Sequence, residues 1–186
     1  MSKAKELLTD DAVTWDAFRK GDESAFGQIA HKYYQSLFRY GVKFSRDREF
    51  VKDCIQDLYF ELWAKRESLG DTDFVKFYLL KSLRRKIHRE SVRRHWAAED
   101  DEPNWEIEMP VDDSIEVKLI ELETNEAQWQ ELNRELTALP KRQQEVIHLR
   151  FFENLDNEAI AEVMSISRQA VANLIYRTIR ELRGRL

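Results

Sequence analysis

The chain has 186 residues and a formal net charge of −5, and its 42% hydrophobic and 11% aromatic residues are sufficient for a core, which argues against wholesale disorder. Five glycines and three prolines are too few for a turn-rich all-β fold and favour an all-α one, while the single cysteine, Cys54, excludes a disulfide framework and a cysteine-rich zinc site. No apolar run is long enough for a signal peptide or a membrane span, so we expect a cytoplasmic protein without direct membrane insertion.

Two helices are predicted at the start of the chain. The first covers residues 12–20 and includes Trp15 and Phe18. Gly21 stands where a helix C′ residue is favoured, and Asp22 stands where an N-cap is favoured. The second helix has one apolar stripe at spacings of three and four residues, formed by Phe26, Ile29, Tyr33 and Leu37.

A third helix is predicted over residues 48–65, and it has two distinct faces. Its core stripe consists of Val51, Ile55, Leu58 and Leu62. Its outer stripe, at i, i+3, i+4 and i+7, consists of Asp53, Gln56, Asp57 and Phe60. Three polar residues and one aromatic residue on a shared face indicate a docking surface, although a solvated face with one exposed phenylalanine would give the same pattern.

A fourth helix is predicted to begin near Asp73, with Leu80, Leu83 and Ile87 pointing inward. Seven basic residues and one acidic residue lie between positions 81 and 94. Cations that follow phosphates and rings that stack on unpaired bases suit single-stranded nucleic acid. The alternative is that the aromatic residues belong to the core and that the cations are merely solvated. The residues in question are Phe74, Phe77, Tyr78, Lys81, Arg84, Arg85, Lys86, Arg89, Arg93 and Arg94.

The net charge hides an uneven distribution. Residues 97–126 contain twelve acidic residues and one lysine, whereas residues 167–186 contain five arginines and one glutamate. The acidic stretch also contains two of the three prolines. We therefore predict two small helical domains, residues 1–96 and 125–186, joined by an acidic linker over residues 97–124.

The C-terminal domain carries the sharpest local motif. A helix is predicted over residues 125–139, and Pro140 begins the next. Asp156 and Ser167 are placed to cap two further helices, and Ala161 is small where those helices must cross closely. This spacing is typical of a helix-turn-helix, whose second helix enters the DNA major groove.

The second helix of this motif is predicted from Arg168 to near Leu182. Its inward residues are Val171, Ile175, Ile179 and Leu182. Its outward residues are Arg168, Gln169, Ala172, Asn173, Tyr176 and Arg177. Arginine can pair with guanine edges, and glutamine or asparagine with adenine edges. The competing interpretation is a helical hairpin that is used only for packing.

Features of an enzyme are missing from the sequence. The five glycines form neither a phosphate-binding loop nor a dinucleotide fingerprint, and the four histidines have no metal-ligand spacing. Cys54, on a predicted helix, is more typical of a small core residue than of a nucleophile. We therefore predict no catalytic residues, no metal, no cofactor and no small-molecule substrate.

The order of these segments resembles a known family. Gly21–Phe26 with Tyr33 and Tyr34 resembles the opening helix pair of bacterial RNA polymerase sigma factors of the extracytoplasmic-function (ECF) group, within the sigma-70 family. Asp53–Trp63 resembles the D-x-x-Q-E-x-F-x-x-x-W type of helix in that group, and the segment from Leu139 onward resembles its second DNA-binding domain. Ser165 departs from the family, which often has glycine at that turn.

The resemblance implies a role for each region. The first domain would bind core RNA polymerase and the minus-ten promoter element, and the second domain would bind the minus-thirty-five element of promoter DNA. Core-polymerase-binding residues would be Asp53, Gln56, Asp57, Phe60 and Trp63. Minus-ten DNA-binding residues would be Phe74, Phe77, Tyr78, Lys81, Arg84, Arg85, Lys86, Arg89, Arg93 and Arg94. Minus-thirty-five DNA-binding residues would be Ser167, Arg168, Gln169, Ala172, Asn173, Tyr176 and Arg177.

The resemblance also implies how unpaired DNA and protein partners are handled. The loop of residues 69–74 would help to capture the non-template strand as it melts, and the acidic linker would mimic nucleic acid in the polymerase channels. An anti-sigma factor, often membrane-anchored in this family, would be a further partner.

Two other classes of protein remain open. One is a self-sufficient helix-turn-helix regulator with a sensory N-terminal domain, which would bind DNA as a dimer without polymerase. The other is a nucleic-acid-processing enzyme, which would need a cluster of metal ligands or bases that the sequence does not offer.

Overall fold

The structure, a computed structural model, describes residues 2–97 and 126–185, with side chains described for residues 10–94 and 132–185. The described residues contain helices and turns without a strand, which confirms the predicted all-α fold class. They fall into two compact units, one on each side of the undescribed stretch. The predicted acidic linker lies outside the described residues apart from Ala97.

The N-terminal unit contains four α-helices. These are α1 (Ser2–Arg19), α2 (Glu23–Gly41), α3 (Arg48–Lys65) and α4 (Val75–Ala97), with a short 3₁₀ turn at Arg66–Ser68. The helix α1 begins well before the predicted start at residue 12, whereas α3 has the predicted bounds.

The turn between α1 and α2 follows the chemistry expected from its sequence. Gly21 has a φ of 96°, a left-handed conformation that glycine adopts without steric cost. The Asp22 N–H donates to the Ala17 carbonyl at 3.1 Å, which closes the end of α1. The Asp22 carboxylate accepts from the Ala25 N–H at 3.0 Å and so caps the start of α2.

The core of the N-terminal unit contains the apolar stripes predicted for α3 and α4. The buried residues that were predicted to point inward are Val51, Ile55, Leu58, Leu62, Leu80, Leu83 and Ile87. Three helices meet at Gly41, because a Cβ there would lie 2.5 Å from the Cγ1 of Val51 on α3 and 3.7 Å from the Cδ2 of Leu83 on α4. A larger residue at position 41 would therefore push these helices apart.

The C-terminal unit contains four further α-helices. These are α5 (Glu126–Thr137), α6 (Lys141–Ile147), α7 (Asn157–Met164) and α8 (Arg168–Arg185). The helix α6 continues into a wider π-helical turn at His148–Phe152. Pro140, predicted to begin this helix, lies one position before its first residue. Asp156 precedes the first residue of α7, as predicted.

The buried face of α8 differs from the predicted one. Val171 is buried, but Ile175, Ile179 and Leu182 are only half-buried, and the fully buried residue in the second half of the helix is Thr178. The Thr178 hydroxyl donates to the Leu174 carbonyl at 2.8 Å, so its polar atom has a partner inside the core. Hydrophobic periodicity could not identify this threonine as a core residue.

Candidate functional site

The outer face of α3 presents the predicted stripe to solvent. Asp53, Gln56, Asp57 and Phe60 are all exposed, and 64% of Phe60 is accessible. The opposite face of the same helix is buried, so α3 is held in place while its outer face remains available. A large exposed ring beside carboxylates and an amide can contact a partner that has both apolar and basic groups.

Trp63 does not share this outer face. Its ring lies 5.2 Å from the Phe26 ring and 6.2 Å from the Phe18 ring, and the Arg66 guanidinium covers it at 4.7 Å. The structure therefore places Trp63 in an aromatic cluster between α1, α2 and α3, apart from the other predicted polymerase-binding residues.

The basic helix α4 presents only part of its charge to solvent. Only 5% of Lys86 is accessible, and its Nζ lies 2.7 Å from Oε1 of Glu61 and 3.4 Å from Oδ2 of Asp57. Arg89 reaches the same Glu61 oxygen at 3.1 Å. Hydrogen bonding from Lys86, with help from Arg89, lowers the pKa of Glu61. Lys86 lies three positions after the buried Leu83, on the same face of α4, so its side chain points toward α3 rather than outward.

Arg94 is a second cation that is engaged within the N-terminal unit. Its guanidinium lies 4.2 Å from the centre of the Phe50 ring and 3.1 Å from Oδ2 of Asp47. The other carboxylate oxygen of Asp47 accepts from the Phe50 N–H at 2.9 Å, which caps α3. The Phe50 N–H and the Arg94 guanidinium lower the pKa of Asp47.

The remaining predicted minus-ten residues lie nearer the surface. Arg85 and Arg93 are exposed, and Lys81 and Arg84 are half-buried. Among the aromatic residues, 59% of Phe74 is accessible. Phe77 is half-buried with the Lys81 Nζ 5.4 Å from its ring centre, and Tyr78 packs edge-on against Trp15 at 5.4 Å. Of the three aromatic residues predicted to bind the minus-ten element, Phe74 is thus the most accessible for stacking on a base.

Sequence reasoning missed the residues that fix the loop before α4. The indole N–H of Trp15 donates to the Gly70 carbonyl at 3.0 Å, and Arg19 forms an ion pair with Asp71. The periodicity of α1 identified Trp15 only as an apolar residue. A buried tryptophan needs a partner for its N–H, and this requirement was the available signal.

The helix-turn-helix is built as the capping residues predicted. The Asp156 carboxylate accepts from the Glu158 and Ala159 N–H groups at 3.1 and 2.8 Å, which starts α7. The Ser167 hydroxyl accepts from the Ala170 N–H at 3.1 Å, which starts α8. Between them, Ser165 adopts the left-handed conformation, with φ 55° and ψ 48°.

The outward face of α8 carries the predicted polar residues. Ala172 is half-buried, and Gln169 donates to Oδ1 of Asn173 at 3.3 Å, so two amide side chains share one patch. Arginine and amide side chains at the start of a second helix match the donors and acceptors of the DNA major groove. The exposed residues of this face are Ser167, Arg168, Gln169, Asn173, Tyr176 and Arg177.

The π-helical turn before α7 is a feature that the sequence did not reveal. It buries His148, whose Nε2 lies 3.2 Å from Oε1 of the buried Glu153. The Phe152 ring stacks on His148 at 5.5 Å and is itself exposed, as is Phe151. The turn therefore places a buried polar pair beneath an apolar surface patch.

The described residues contain no candidate metal site. No group of three or more histidine, cysteine, aspartate or glutamate side chains in them could hold a metal ion. Burial raises the pKa of the Cys54 thiol to about 11, so this thiol stays protonated near neutral pH. Within the same residues, no helix is long and apolar enough to cross a membrane.

Residues 129–182, from α5 to α8, match the family model described as Sigma-70, region 4. No curated protein matches the chain.

The fold is similar to that of CnrH and RpoE, among other solved structures. CnrH, in complex with the cytosolic domain of CnrY, is 18% identical with a TM-score of 0.61, over 94% of this chain and 95% of CnrH. The sigma factor RpoE from Bartonella quintana, in complex with the anti-sigma factor NepR, is 18% identical with a TM-score of 0.61, over 86% of this chain and 94% of RpoE. Residues 129–182 are therefore similar to region 4 of the sigma-70 family, as the sequence predicted, and the chain shares the fold of CnrH and RpoE.

Proposed function

We propose that this protein is an ECF sigma factor, which binds core RNA polymerase and directs it to promoters. The observation that carries the proposal is the exposed polar face of α8, because it lies on a helix-turn-helix within the residues that match Sigma-70, region 4. On this proposal the protein supplies sequence specificity by binding and catalyses no reaction itself.

Core polymerase would dock on the outer face of α3. Asp53, Gln56 and Phe60 are exposed there, and Asp57 is exposed while also lying within reach of Lys86. We expect Phe60 to contribute most of the affinity, because an exposed aromatic ring that becomes buried at an interface is a typical hot spot.

The minus-ten element would be recognised by the loop of residues 69–74 together with the start of α4. Phe74 supports this role because its ring is largely accessible beside the basic helix. Arg85 and Arg93 would follow phosphates, whereas Lys86 would mainly hold α4 against α3. Unpaired bases cost about a few kcal/mol to extract from a duplex, which stacking on the protein offsets.

The minus-thirty-five element would be recognised by α8. Arg168 and Gln169 occupy the first turn of the recognition helix, where side chains reach base edges in the major groove. Asn173, one turn later, would extend that contact. The partners of this protein would therefore be core RNA polymerase, promoter DNA and an anti-sigma factor, such as the one that RpoE binds in its complex. The acidic linker would thread the polymerase channels as a nucleic-acid mimic.

A pair of phenylalanine variants tests whether α3 binds core polymerase and the loop of residues 69–74 binds DNA. Phe60 and Phe74 have similar accessible fractions, 64% and 59%, so Phe60→Ala and Phe74→Ala should cost the free protein similar and small amounts of stability. We expect Phe60→Ala to weaken binding to core polymerase and Phe74→Ala to leave it unchanged. We expect Phe74→Ala to weaken the affinity of the assembled holoenzyme for single-stranded promoter DNA and Phe60→Ala to leave that affinity unchanged.

The outcome of this pair separates the competing functions. If both variants bind core polymerase as the wild type does, α3 is not the docking surface. If the wild-type protein binds duplex DNA as a dimer and ignores core polymerase, the self-sufficient regulator replaces the sigma factor as the explanation. Fluorescence anisotropy with labelled polymerase and with labelled DNA measures both affinities on the same protein samples.

A further inference from the structure

The middle of the loop before α4 is tied to α1 by one hydrogen bond from a buried donor to an exposed glycine. Trp15 is 1% accessible, and its indole N–H donates to the Gly70 carbonyl at 3.0 Å across 55 positions of sequence. Because the indole is buried, water competes less for its N–H than for an exposed donor, so this bond restrains the loop more strongly than a contact between two exposed groups does.

The indole is itself fixed by its aromatic neighbours. Its ring makes edge contacts with Phe18 at 5.2 Å and with Tyr78 at 5.4 Å. Tyr78 belongs to the first turn of α4, so one side chain of α1 contacts both the loop and the helix that the loop precedes. Rotation of Trp15 away from Gly70 would break this packing, which makes the direction of its N–H a property of the core.

The other restraints on the loop are local or exposed. The Leu69 N–H donates to the Arg66 carbonyl at 3.3 Å, and the Phe74 N–H donates to the Thr72 hydroxyl at 3.0 Å, so each end is held by a near neighbour. Arg19 pairs with Asp71, a carboxylate that is 88% accessible, and exposed ion pairs restrain weakly. Gly70 has open space around its Cα and intrinsic backbone freedom, so the loop depends on Trp15 for its conformation.

We propose that Trp15 is a positioning residue for the capture of unpaired DNA. Through the Gly70 carbonyl it holds the loop in the conformation that presents Phe74, although Trp15 itself is buried and touches no DNA. This inference rests on the proposed function, because it takes the loop as part of the single-strand site. A loop that is already ordered loses less conformational entropy when it binds its ligand, so the tether raises affinity without adding a contact.

The test compares two conservative variants that each remove one hydrogen bond. Trp15→Phe keeps a ring in the core and removes the donor to Gly70. The matched control is Tyr59→Phe, which removes the bond from the Tyr59 hydroxyl to the Ala30 carbonyl, at 3.1 Å, between α3 and α2 in the same unit. Both variants lose a bond from a side chain to a backbone carbonyl, but Trp15→Phe also leaves a cavity in the core, so the free energy of unfolding of each variant is measured beside the two readouts.

Two readouts separate positioning from stability. The first is hydrogen exchange of the amides in residues 69–74 in the free protein. The second is the affinity of holoenzyme for the non-template single strand of a promoter that the wild-type holoenzyme selects from a random-sequence pool. We expect Trp15→Phe to accelerate loop exchange and to weaken single-strand binding about fivefold, the ratio equivalent to one ordinary hydrogen bond. Tyr59→Phe should change neither, and both should bind core polymerase normally.

The outcomes distinguish a failure of the positioning role of Trp15 from a failure of the proposed sigma-factor function. Equal loop exchange and equal DNA affinity in the two variants overturn the positioning role of Trp15 alone. Failure of the wild-type holoenzyme to bind any single strand overturns the proposed function and this inference with it. If Trp15→Phe folds poorly, replacement of Trp15 by 3-(3-benzothienyl)alanine, which keeps the ring volume and replaces the N–H donor with sulfur, provides the second variant. It should accelerate loop exchange relative to the wild type, and unchanged exchange would overturn the positioning role.

Discussion

The two basic regions of this protein use their charged side chains differently. In α4, the cations Lys86, Arg89 and Arg94 form ion pairs with carboxylates of the same unit. In α8, Arg168 and Arg177 are exposed on the proposed recognition face, whereas Arg185 in the last turn pairs with Glu135 and Glu181. A count of positive charge therefore overstates what either helix could offer to nucleic acid, and in α8 the paired arginine lies away from the proposed recognition face. The difference shows that carboxylates packed against a basic helix can form ion pairs with its cations, which leaves fewer of those cations for nucleic acid.

The largest expected effect lies on the recognition face of α8. Replacing Arg168 and Gln169 together with alanine should weaken promoter binding by holoenzyme, by about 1–3 kcal/mol for each bidentate base contact that is lost. The control is Arg183→Ala, an exposed arginine in the last turn of the same helix. Electrophoretic mobility shift at fixed salt measures both. Equal losses in the two variants would mean that α8 contributes charge alone.

A smaller effect, on stability, is expected at the buried lysine of α4. Lys86→Ala should lower the free energy of unfolding by about 2 kcal/mol, because it removes buried methylene groups and the partner of Glu61 and Asp57. Arg85→Ala, at the exposed neighbouring position, should change it by less than about 0.5 kcal/mol. Urea denaturation of the two variants tests this contrast. Equal stability would return Lys86 to the set of freely available cations.

The turn of the helix-turn-helix offers a stabilising change. Ser165 is held at a φ of 55°, a conformation that costs residues other than glycine roughly 1–2 kcal/mol. Ser165→Gly should therefore stabilise the C-terminal unit by about 1 kcal/mol, after allowance for the greater freedom of glycine in the unfolded chain. Thermal unfolding followed by circular dichroism measures the gain. A destabilised variant would show that the serine side chain has a role of its own in this turn.

The smallest effect concerns acid stability at the end of α4. The pKa of Asp47 is lower in the folded state than in the unfolded chain, because its carboxylate accepts from Phe50 and pairs with Arg94. The stabilisation is therefore present above an unfolded pKa of about 3.9 and is lost as the pH falls through the lower folded value. Asp47→Asn keeps a capping side chain but removes the titration, so its stability should depend less on pH between about 5 and 3.

The expected amplitude of this acid effect is below about 1 kcal/mol, since the pair is exposed to solvent. Urea midpoints of the wild type and Asp47→Asn at several pH values provide the measurement. Parallel pH profiles would remove Asp47 from the groups that link stability to protons.

Local chemistry explains which features could be predicted from sequence. The caps at Asp22, Asp156 and Ser167 depend on residues within three positions, and the structure confirms each. The buried and exposed stripes of α3 could also be predicted from sequence, because helical periodicity separates a buried face from an exposed one. The assignment of site residues to polymerase or DNA stays a prediction.

Long-range pairing explains what sequence reasoning missed. The partners of Lys86 and Trp15 lie 25 and 55 positions away, and no local pattern predicts which side chain faces which. The buried Thr178 satisfies its hydroxyl within its own helix, so a polar residue occupies a core position that periodicity assigns to an apolar one. These features depend on tertiary packing, and no periodicity within a single sequence reveals which distant residues will be in contact.

The most direct test of the central claim is gel filtration of the full chain with bacterial core RNA polymerase that lacks sigma. The proposal that this chain is a sigma factor predicts that the chain and core polymerase co-elute. An excess of another sigma factor should reverse the co-elution, and Phe60→Ala should weaken it. Separate elution of folded protein from core polymerase would contradict the claim and would favour a helix-turn-helix regulator that acts without polymerase.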